Sequence, residues 1–115
     1  MKRTWLNEFH RLNNIRASKD FSPEHNLIAL VACVTEEVGE LSAAVLGVTG
    51  EKSRKAHKTN ADVLDAVADA ITYLSLVASK AGCEDLQSLL ADTFNMVSDR
   101  CGSKIRVSHD IWEDK

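Results

Sequence analysis

Apolar residues recur at helical spacing along most of this chain, and few residues interrupt them. Among its 115 residues are one proline and five glycines, and only 5% are aromatic. Leucine, valine, isoleucine and alanine must therefore supply the core, and this composition favours helices. We predict an all-α fold, a bundle of four to five helices that forms a single domain over residues 1–115.

The hydrophobic period and the capping residues place four helices. They cover roughly residues 3–17, 22–47, 59–82 and 85–101, and Asp62 is expected to complete a capping box at the start of the third. The apolar stripes of the last three helices are expected to face the core. These stripes are Leu27, Leu30, Val31, Val34, Val38, Leu41 and Val45; then Leu64, Val67, Ile71, Leu74 and Ala78; then Leu86, Leu89, Leu90, Phe94 and Val97.

The two ends of the chain carry weaker signals. Trp5, Phe9 and Leu12 share one side of the first helix, and we interpret Trp5 and Phe9 as core or dimer contacts. The motif-bearing core is expected to cover residues 22–103, and the short tail over 104–115 has no clear period, although residues 105–107 could form an extended piece.

Charge and cysteine usage exclude several classes of function. The net charge of −3 provides no basic field for duplex nucleic acid. Three cysteines without C-x-x-C spacing indicate neither a disulfide framework nor a zinc site. No signal peptide is visible, and no apolar run is long enough to span a bilayer. We predict a cytoplasmic protein that binds neither duplex nucleic acid nor membranes.

Two acidic clusters interrupt the apolar helices. They are Glu36, Glu37 and Glu40 on the second helix and Asp62, Asp65 and Asp69 on the third. At about 100° per residue, Glu37 and Glu40 border the apolar stripe, while Glu36 lies nearer solvent. We expect the acidic faces of the two helices to meet inside the bundle, where carboxylates are costly to bury unless a cation neutralises them.

The chemistry of such a cluster suits a hard divalent cation. Carboxylate oxygens bind Mg²⁺, and the phosphates of a substrate commonly complete its shell. A solvated face is the usual interpretation of the first cluster alone, but Asp65 and Asp69 lie in an apolar run and aspartate is a mediocre helix former. The two clusters together favour a Mg²⁺ site, with Mn²⁺ as a substitute, for a phosphorylated substrate.

Three segments in order resemble the all-α nucleoside triphosphate pyrophosphatase superfamily, the MazG-like proteins. Residues 36–41 (EEVGEL) are similar to the E-E-x-x-E metal motif, and residues 65–74 (DAVADAITYL) are similar to the second metal helix, E-x-x-D followed by an apolar run. Residues 94–103 (FNMVSDRCGS) resemble the closing segment F-N-x-V-S-x-R-x-G-S. The glutamate of E-x-x-D falls at Ala66, and Thr93 stands where a lysine is frequent.

The resemblance implies Mg²⁺-dependent hydrolysis of a (deoxy)nucleoside triphosphate to the monophosphate and pyrophosphate, in house-cleaning or nucleotide-pool control. Glu37, Glu40 and Asp69 would bind the metal, and Asp65 would replace the missing glutamate. Glu36 would bind a third ion or orient the attacking water. The implied catalytic set is Glu36, Glu37, Glu40 and Asp69.

Further contacts are implied near the end of the domain. Asn95 would contact the nucleotide, and relatives form homodimers or homotetramers with sites near the interface. Arg100 and Lys104 are candidate phosphate ligands, although cations are also favourable at a helix C-terminus. The basic segment 52–58 could meet phosphates, but a solvated loop is the favoured interpretation.

Two alternatives stay open. One is a specialised substrate of the same reaction, such as phosphoribosyl-ATP. The other is a non-catalytic helical module that binds nucleotide or metal, or serves assembly, and has a degenerate site. Ala66 and Thr93 favour the module.

Overall fold

The computed structural model describes residues 3–20, 26–50 and 58–108, and these residues form four α-helices and no strand. In chain order the helices are α1 (Trp5–Asp20), α2 (Leu27–Thr49), α3 (Asn60–Lys80) and α4 (Leu86–Cys101). The predicted all-α fold is therefore confirmed. None of these four helices is long and apolar enough to cross a membrane.

Helix α2 begins and ends at residues other than those expected. Asn26 caps it, since the side-chain oxygen of Asn26 accepts a hydrogen bond from the Ala29 N–H at 2.8 Å. The start expected at 22–24 lies outside the described residues. The helix passes Gly47 and ends at Gly50, whose φ of 75° is a left-handed conformation that glycine adopts without strain.

Helices α3 and α4 begin at the caps that the sequence indicates. Thr59 and Asp62 form the predicted capping box, in which the Thr59 N–H donates to Asp62 at 2.8 Å. Asp85 caps α4 by accepting a hydrogen bond from the Ser88 N–H at 3.0 Å. Local hydrogen bonds therefore fix where α3 enters the fold, and α3 carries half of the predicted site.

Helix α1 packs on α3 and α4 through polar residues. Asn7, His10 and Asn13 are buried, whereas Trp5 is 77% exposed. Trp5 stacks on Phe9 at the surface, with ring centroids 5.6 Å apart. A core position is therefore wrong for Trp5, because the opposite side of α1 meets the other helices, and a dimer contact by Trp5 stays a prediction.

The two buried asparagines of α1 form hydrogen bonds to other parts of the fold. Asn13 Nδ2 donates to the backbone carbonyl of Thr72 at 2.9 Å. Asn7 Nδ2 donates to Asp85 Oδ1 at 3.0 Å, and Asn7 Oδ1 accepts from the Gln87 N–H at 3.0 Å. These hydrogen bonds offset part of the cost of burying the amides, because they replace hydrogen bonds to water.

His10 occupies the centre of the same contact. Its Nδ1 lies 2.6 Å from the Ser75 hydroxyl oxygen, and its Nε2 lies 2.8 Å from the Cys83 carbonyl oxygen. Because a carbonyl can only accept, Nε2 carries a proton and donates it. His10 is thus a buried residue that links α1 to α3.

Helices α2 and α3 pack on each other largely through small residues. Ala44, Ala66 and Ala70 are buried at this contact, together with Leu30. The expectation that the large aliphatic stripes face the core is wrong for most of their members. Twelve members of the three stripes are exposed instead. They are Leu27, Val31, Val38 and Val45 of α2, Leu64, Val67, Ile71 and Leu74 of α3, and Leu89, Leu90, Phe94 and Val97 of α4.

Candidate functional site

An open groove of about 310 Å³ lies between α2 and α3. Four carboxylates, three alanines and one lysine line it. They are Glu40, Ala43, Ala44, Lys58, Asp62, Asp65, Ala66 and Asp69. The structure therefore brings Glu40 of α2 to the same groove as the aspartates of α3, whereas Glu36 and Glu37 do not line it. The expectation that the acidic faces meet inside the bundle is wrong, because the groove is open and Glu40, Asp65 and Asp69 are exposed. The alanines leave room between the helices, and the carboxylates supply oxygen ligands along the walls.

Glu37 is half-buried near this groove, and one of its carboxylate oxygens is orphaned. Its Oε2 is buried and has no hydrogen-bond partner among the described residues. Burial raises the pKa of Glu37, and the negative charges of Glu40 and Asp69 raise it further. A buried acceptor without a donor or a cation is costly, so this position is complementary to a positive charge brought from outside.

Asp62 lines the groove, but its carboxylate belongs to the helix cap. Asp62 Oδ2 accepts from the Thr59 N–H at 2.8 Å and from the Thr59 hydroxyl at 3.1 Å. The backbone hydrogen bond is the largest cause of a lowered Asp62 pKa, followed by the hydroxyl. Asp62 is therefore the groove carboxylate least available to a ligand, in agreement with the capping role expected for it.

Asp65 and Asp69 are exposed on the groove wall, one helical turn apart on α3. Ala66 lines the same groove and is 6% exposed. The position that the MazG-like motif gives to glutamate therefore belongs to this groove, and Asp65 lies beside it. Replacement of that glutamate by Asp65 stays a prediction.

Tyr73 is a residue of this region to which the sequence analysis assigned no role. Burial raises its pKa, and so do the neighbouring Cys33 and the carboxylates of Glu37, Glu36 and Asp69. Its hydroxyl is thus a hydrogen-bond donor within electrostatic range of the acidic groove. The signal in the sequence is its spacing, because Tyr73 follows Asp69 by one turn on the same side of α3.

The three residues expected to contact nucleotide do not line this groove. Asn95 Nδ2 donates to the Val107 carbonyl, and Asn95 Oδ1 accepts from the Val107 N–H, both at 2.9 Å. Asn95 thereby holds Val107 beside α4, in a segment, residues 103–108, that forms neither helix nor strand. Arg100 and Lys104 are exposed near the end of α4. Nucleotide contacts by all three stay predictions.

The donors at the groove fit a hard divalent cation in chemistry. They are carboxylate oxygens, and the orphaned Glu37 Oε2 lacks a positive partner. Over residues 3–20, 26–50 and 58–108, no three His, Cys, Asp or Glu side chains already form a metal-binding group. Side chains of α2 and α3 would therefore have to converge on an ion as it binds.

Comparison with known proteins adds no relative: no family model, no curated protein and no solved structure matches this chain. The resemblance to MazG-like proteins therefore depends on the three sequence motifs. In the structure, Glu40 of the first motif lines the same groove as Asp65 and Asp69 of the second.

Proposed function

We propose that this protein is a Mg²⁺-dependent nucleoside triphosphate pyrophosphohydrolase that converts a (d)NTP to a (d)NMP and pyrophosphate. The observation that carries the proposal is the pairing of two acidic helix faces around one groove, beside a buried carboxylate oxygen without a partner. A triphosphate with its divalent cations would supply the missing positive charge and occupy the groove.

The acidic residues would divide the work. Glu37, Glu40 and Asp69 would hold Mg²⁺ or Mn²⁺, with Asp65 as a further ligand. The bound metal would neutralise phosphate charge and lower the pKa of a water molecule. The exposed Glu36 would orient the attacking water and accept its proton as the oxygen bonds to the α-phosphorus. The bond from the α-phosphorus to the bridging oxygen breaks, and pyrophosphate leaves.

The rest of the proposed function concerns assembly and context. We expect a cytoplasmic homodimer or homotetramer that removes unwanted nucleotides or adjusts a nucleotide pool. Asn95, Arg100 and Lys104 do not line the groove of their own chain. An assembly that brings α4 of a neighbouring copy to the groove would account for their expected nucleotide contacts.

A substrate screen tests the proposal. The purified protein is incubated with each of the common NTPs and dNTPs, with Mg²⁺ or with EDTA, and pyrophosphate release is measured. Glu37→Ala and Asp69→Ala should each lower kcat/KM by about 10²–10³-fold. Glu84→Ala, an exposed carboxylate outside the groove, is the matched control and should retain full activity. Absence of pyrophosphate with every nucleotide would show the proposal to be wrong.

Ala66 supports the second candidate function, a non-catalytic module that binds nucleotide. A groove that has alanine at the glutamate position, in a described region without a preformed metal group, suits a module that binds nucleotide without cleaving it. Calorimetry with Mg²⁺ and a non-hydrolysable triphosphate separates the two functions, because the module would bind without turnover. Product analysis with phosphoribosyl-ATP separates a specialised substrate from the common nucleotides.

A further inference from the structure

The outward side of α1 carries aromatic and aliphatic side chains, whereas its buried side is polar. Trp5 and Leu12 are exposed there, and Phe9 is half-buried. An open groove of about 410 Å³ runs along this side, and the lining residues that the structure describes all belong to α1. They are Trp5, Glu8, Phe9, Leu12, Asn13 and Arg16. We call this surface the α1 groove. It is separate from the acidic groove between α2 and α3.

The two aromatic rings of the α1 groove are arranged as a platform for a further planar ring. Trp5 and Phe9 are stacked, with 5.6 Å between the ring centroids and 14° between the ring planes. Because Trp5 is 77% exposed, most of its indole surface is open to another ring. A nucleobase would extend this stack, and stacking of bases on aromatic side chains is tolerant of sequence.

Positive charge is concentrated on the same helix. Residues 3–20 carry four cationic side chains and two carboxylates, although the whole chain has a net charge of −3. Glu8 lines the α1 groove, but its carboxylate accepts two hydrogen bonds from Arg11. The hydrogen bond from Arg11 is the largest cause of a lowered Glu8 pKa, and the charge of Arg3 lowers it further. The surroundings of the α1 groove are therefore complementary to an anion.

The position of the cations among the rings favours a nucleic acid over a membrane surface. At about 100° per residue, Arg16 lies within about 20° of both Trp5 and Phe9 around α1, and Lys19 lies within about 20° of Leu12. A helix that lies on a membrane keeps its cations on the side opposite its apolar residues. Interleaved rings and cations instead suit a ligand that offers bases and phosphates in turn.

The length of the α1 groove favours a strand over a single nucleotide. Trp5 and Arg16 are eleven residues apart, which is about 16 Å along the helix axis. Several stacked nucleotides, at about 3.4 Å each, are needed to cover this distance. A duplex does not fit, because its base faces are covered by one another. We propose that α1 binds a single-stranded nucleic acid, with a base stacked on Trp5 and phosphates beside Arg16 and Lys19.

Fluorescence anisotropy tests the proposal. Oligouridylate and oligothymidylate of about twelve nucleotides, labelled with fluorescein, are titrated with the full chain in EDTA at about 50 mM salt. At least one of the two strands should bind. Trp5→Ala should raise the Kd at least about fivefold, as expected for the loss of one base stack, whereas Trp5→Phe should retain most of the affinity. Phe94→Ala is the matched control, since Phe94 is an aromatic residue of α4 that is 44% exposed. Its Kd should change less than about twofold.

Two further measurements locate the contact. Arg16→Gln should weaken binding and reduce the slope of log Kd against log salt by about 0.7, as expected for the loss of one phosphate contact. Lys80→Gln, an exposed cation of α3, is its control and should leave the slope unchanged. Trp112 is the other tryptophan of the chain, so Trp112→Phe leaves Trp5 as the single indole. The fluorescence of that indole should change when the strand binds, because the base stacks on it.

Several outcomes would overturn the proposal. These are no binding of either strand, equal losses in Trp5→Ala and Phe94→Ala, or binding to anionic lipid vesicles in place of the strands. Uridine monophosphate that competes as well as the strand would show that α1 binds a mononucleotide instead. Far-UV circular dichroism checks that each variant keeps its helices. Binding is measured in EDTA and requires no hydrolysis, so it can fail or succeed independently of pyrophosphate release.

Discussion

Helix α3 packs against α1 on one side and against α2 on another. The two contacts differ in whether their buried polar groups have hydrogen-bond partners. Against α1, the imidazole of His10 is paired with Ser75 and with a backbone carbonyl. Against α2, the Oε2 atom of Glu37 is buried with no partner among the described residues. The paired polar groups fix how the helices fit together, whereas the orphaned oxygen is complementary to a group that brings positive charge.

The physical difference lies in charge and complementarity. The side chains that α1 buries include no carboxylate, and the amide donors of Asn7 and Asn13 face acceptors on α3 and at the start of α4. Any other rotation of α1 would leave them unsatisfied, so they specify one packing. The groove between α2 and α3 instead gathers like charges that repel one another, and a bound cation would relieve this repulsion. Substitutions on the α2 side of α3 should therefore lower activity more than stability, and substitutions on the α1 side should do the reverse.

The sharpest test of this separation is Asp69→Asn. This change keeps the side chain's shape and removes one negative charge from the groove. We expect kcat/KM for the best nucleotide to fall about 10²–10³-fold. The melting temperature without metal should stay the same or rise, because repulsion with Glu37 is relieved. A variant that loses both activity and stability would show that Asp69 has a structural role, and the comparison would fail.

The converse test is His10→Ala on the α1 side. It removes a side chain that is 3% exposed and leaves the Cys83 carbonyl without its donor. We expect a loss of about 3 kcal/mol in the free energy of unfolding, measured by urea denaturation. Activity of the folded fraction at low temperature should be retained. The control is Lys19→Ala, on an exposed part of α1, which should leave the urea midpoint unchanged. Lost activity in folded His10→Ala would contradict the separation.

The sequence predicts the elements of this fold better than their contacts. Thr59 and Asp62 predict the start of α3 correctly, because a capping box is a local hydrogen-bonded unit that the sequence alone identifies. Helical spacing also brings Glu40 and Asp69 to one groove. The hydrophobic period does not show which neighbour covers a stripe of side chains, and so it predicts neither the exposure of Trp5 nor the burial of His10. A large apolar side chain need not be buried within its own chain when another copy can cover it.

Asn95 shows a second limit of the same kind. The residue to which the Asn95 side chain is hydrogen-bonded, Val107, lies twelve residues further along the chain. The chain must turn back after Gly102 before the two can meet, and Gly102 adopts a φ of 76° there. A motif comparison assigns Asn95 a nucleotide contact from its neighbours in sequence. It contains no information about a backbone segment that returns to the same side chain.

A smaller effect is expected at the entrance of the groove. Lys58 lines the groove, precedes the Thr59 cap and is the basic residue nearest to the start of α3. If it contacts the leaving pyrophosphate, Lys58→Ala should raise KM about tenfold and change kcat less. Because Lys58 also repels cations, its loss should tighten the binding of Mg²⁺ alone. Lys80→Ala, at the other end of α3, is the control. Weaker binding of both ligands would contradict this role.

The smallest expected effect is the contribution of Glu37 to the pH dependence of folding stability. Its raised pKa means that the folded protein binds the Glu37 proton more tightly than the unfolded chain does, whose value is near 4.5. The stability gained from that proton is complete below the unfolded pKa and is lost as pH rises through the folded pKa. Asp62 and Asp85 have lowered pKa values, so their contributions are lost as pH falls.

These opposing contributions make the slope of the wild type ambiguous, and a comparison of variants removes the ambiguity. Glu37→Gln keeps the size of the side chain and cannot ionise. In EDTA, it should melt at a higher temperature than the wild type at about pH 7, and the difference should vanish as the pH approaches about 4.5. Saturating Mg²⁺ at about pH 7 should also shrink the difference, because the metal stabilises only the wild-type carboxylate. A difference that is constant across this range would mean that Glu37 is as well solvated in the fold as in the unfolded chain. The orphaned oxygen would then carry no information about a ligand, and the two sides of α3 would no longer differ in kind.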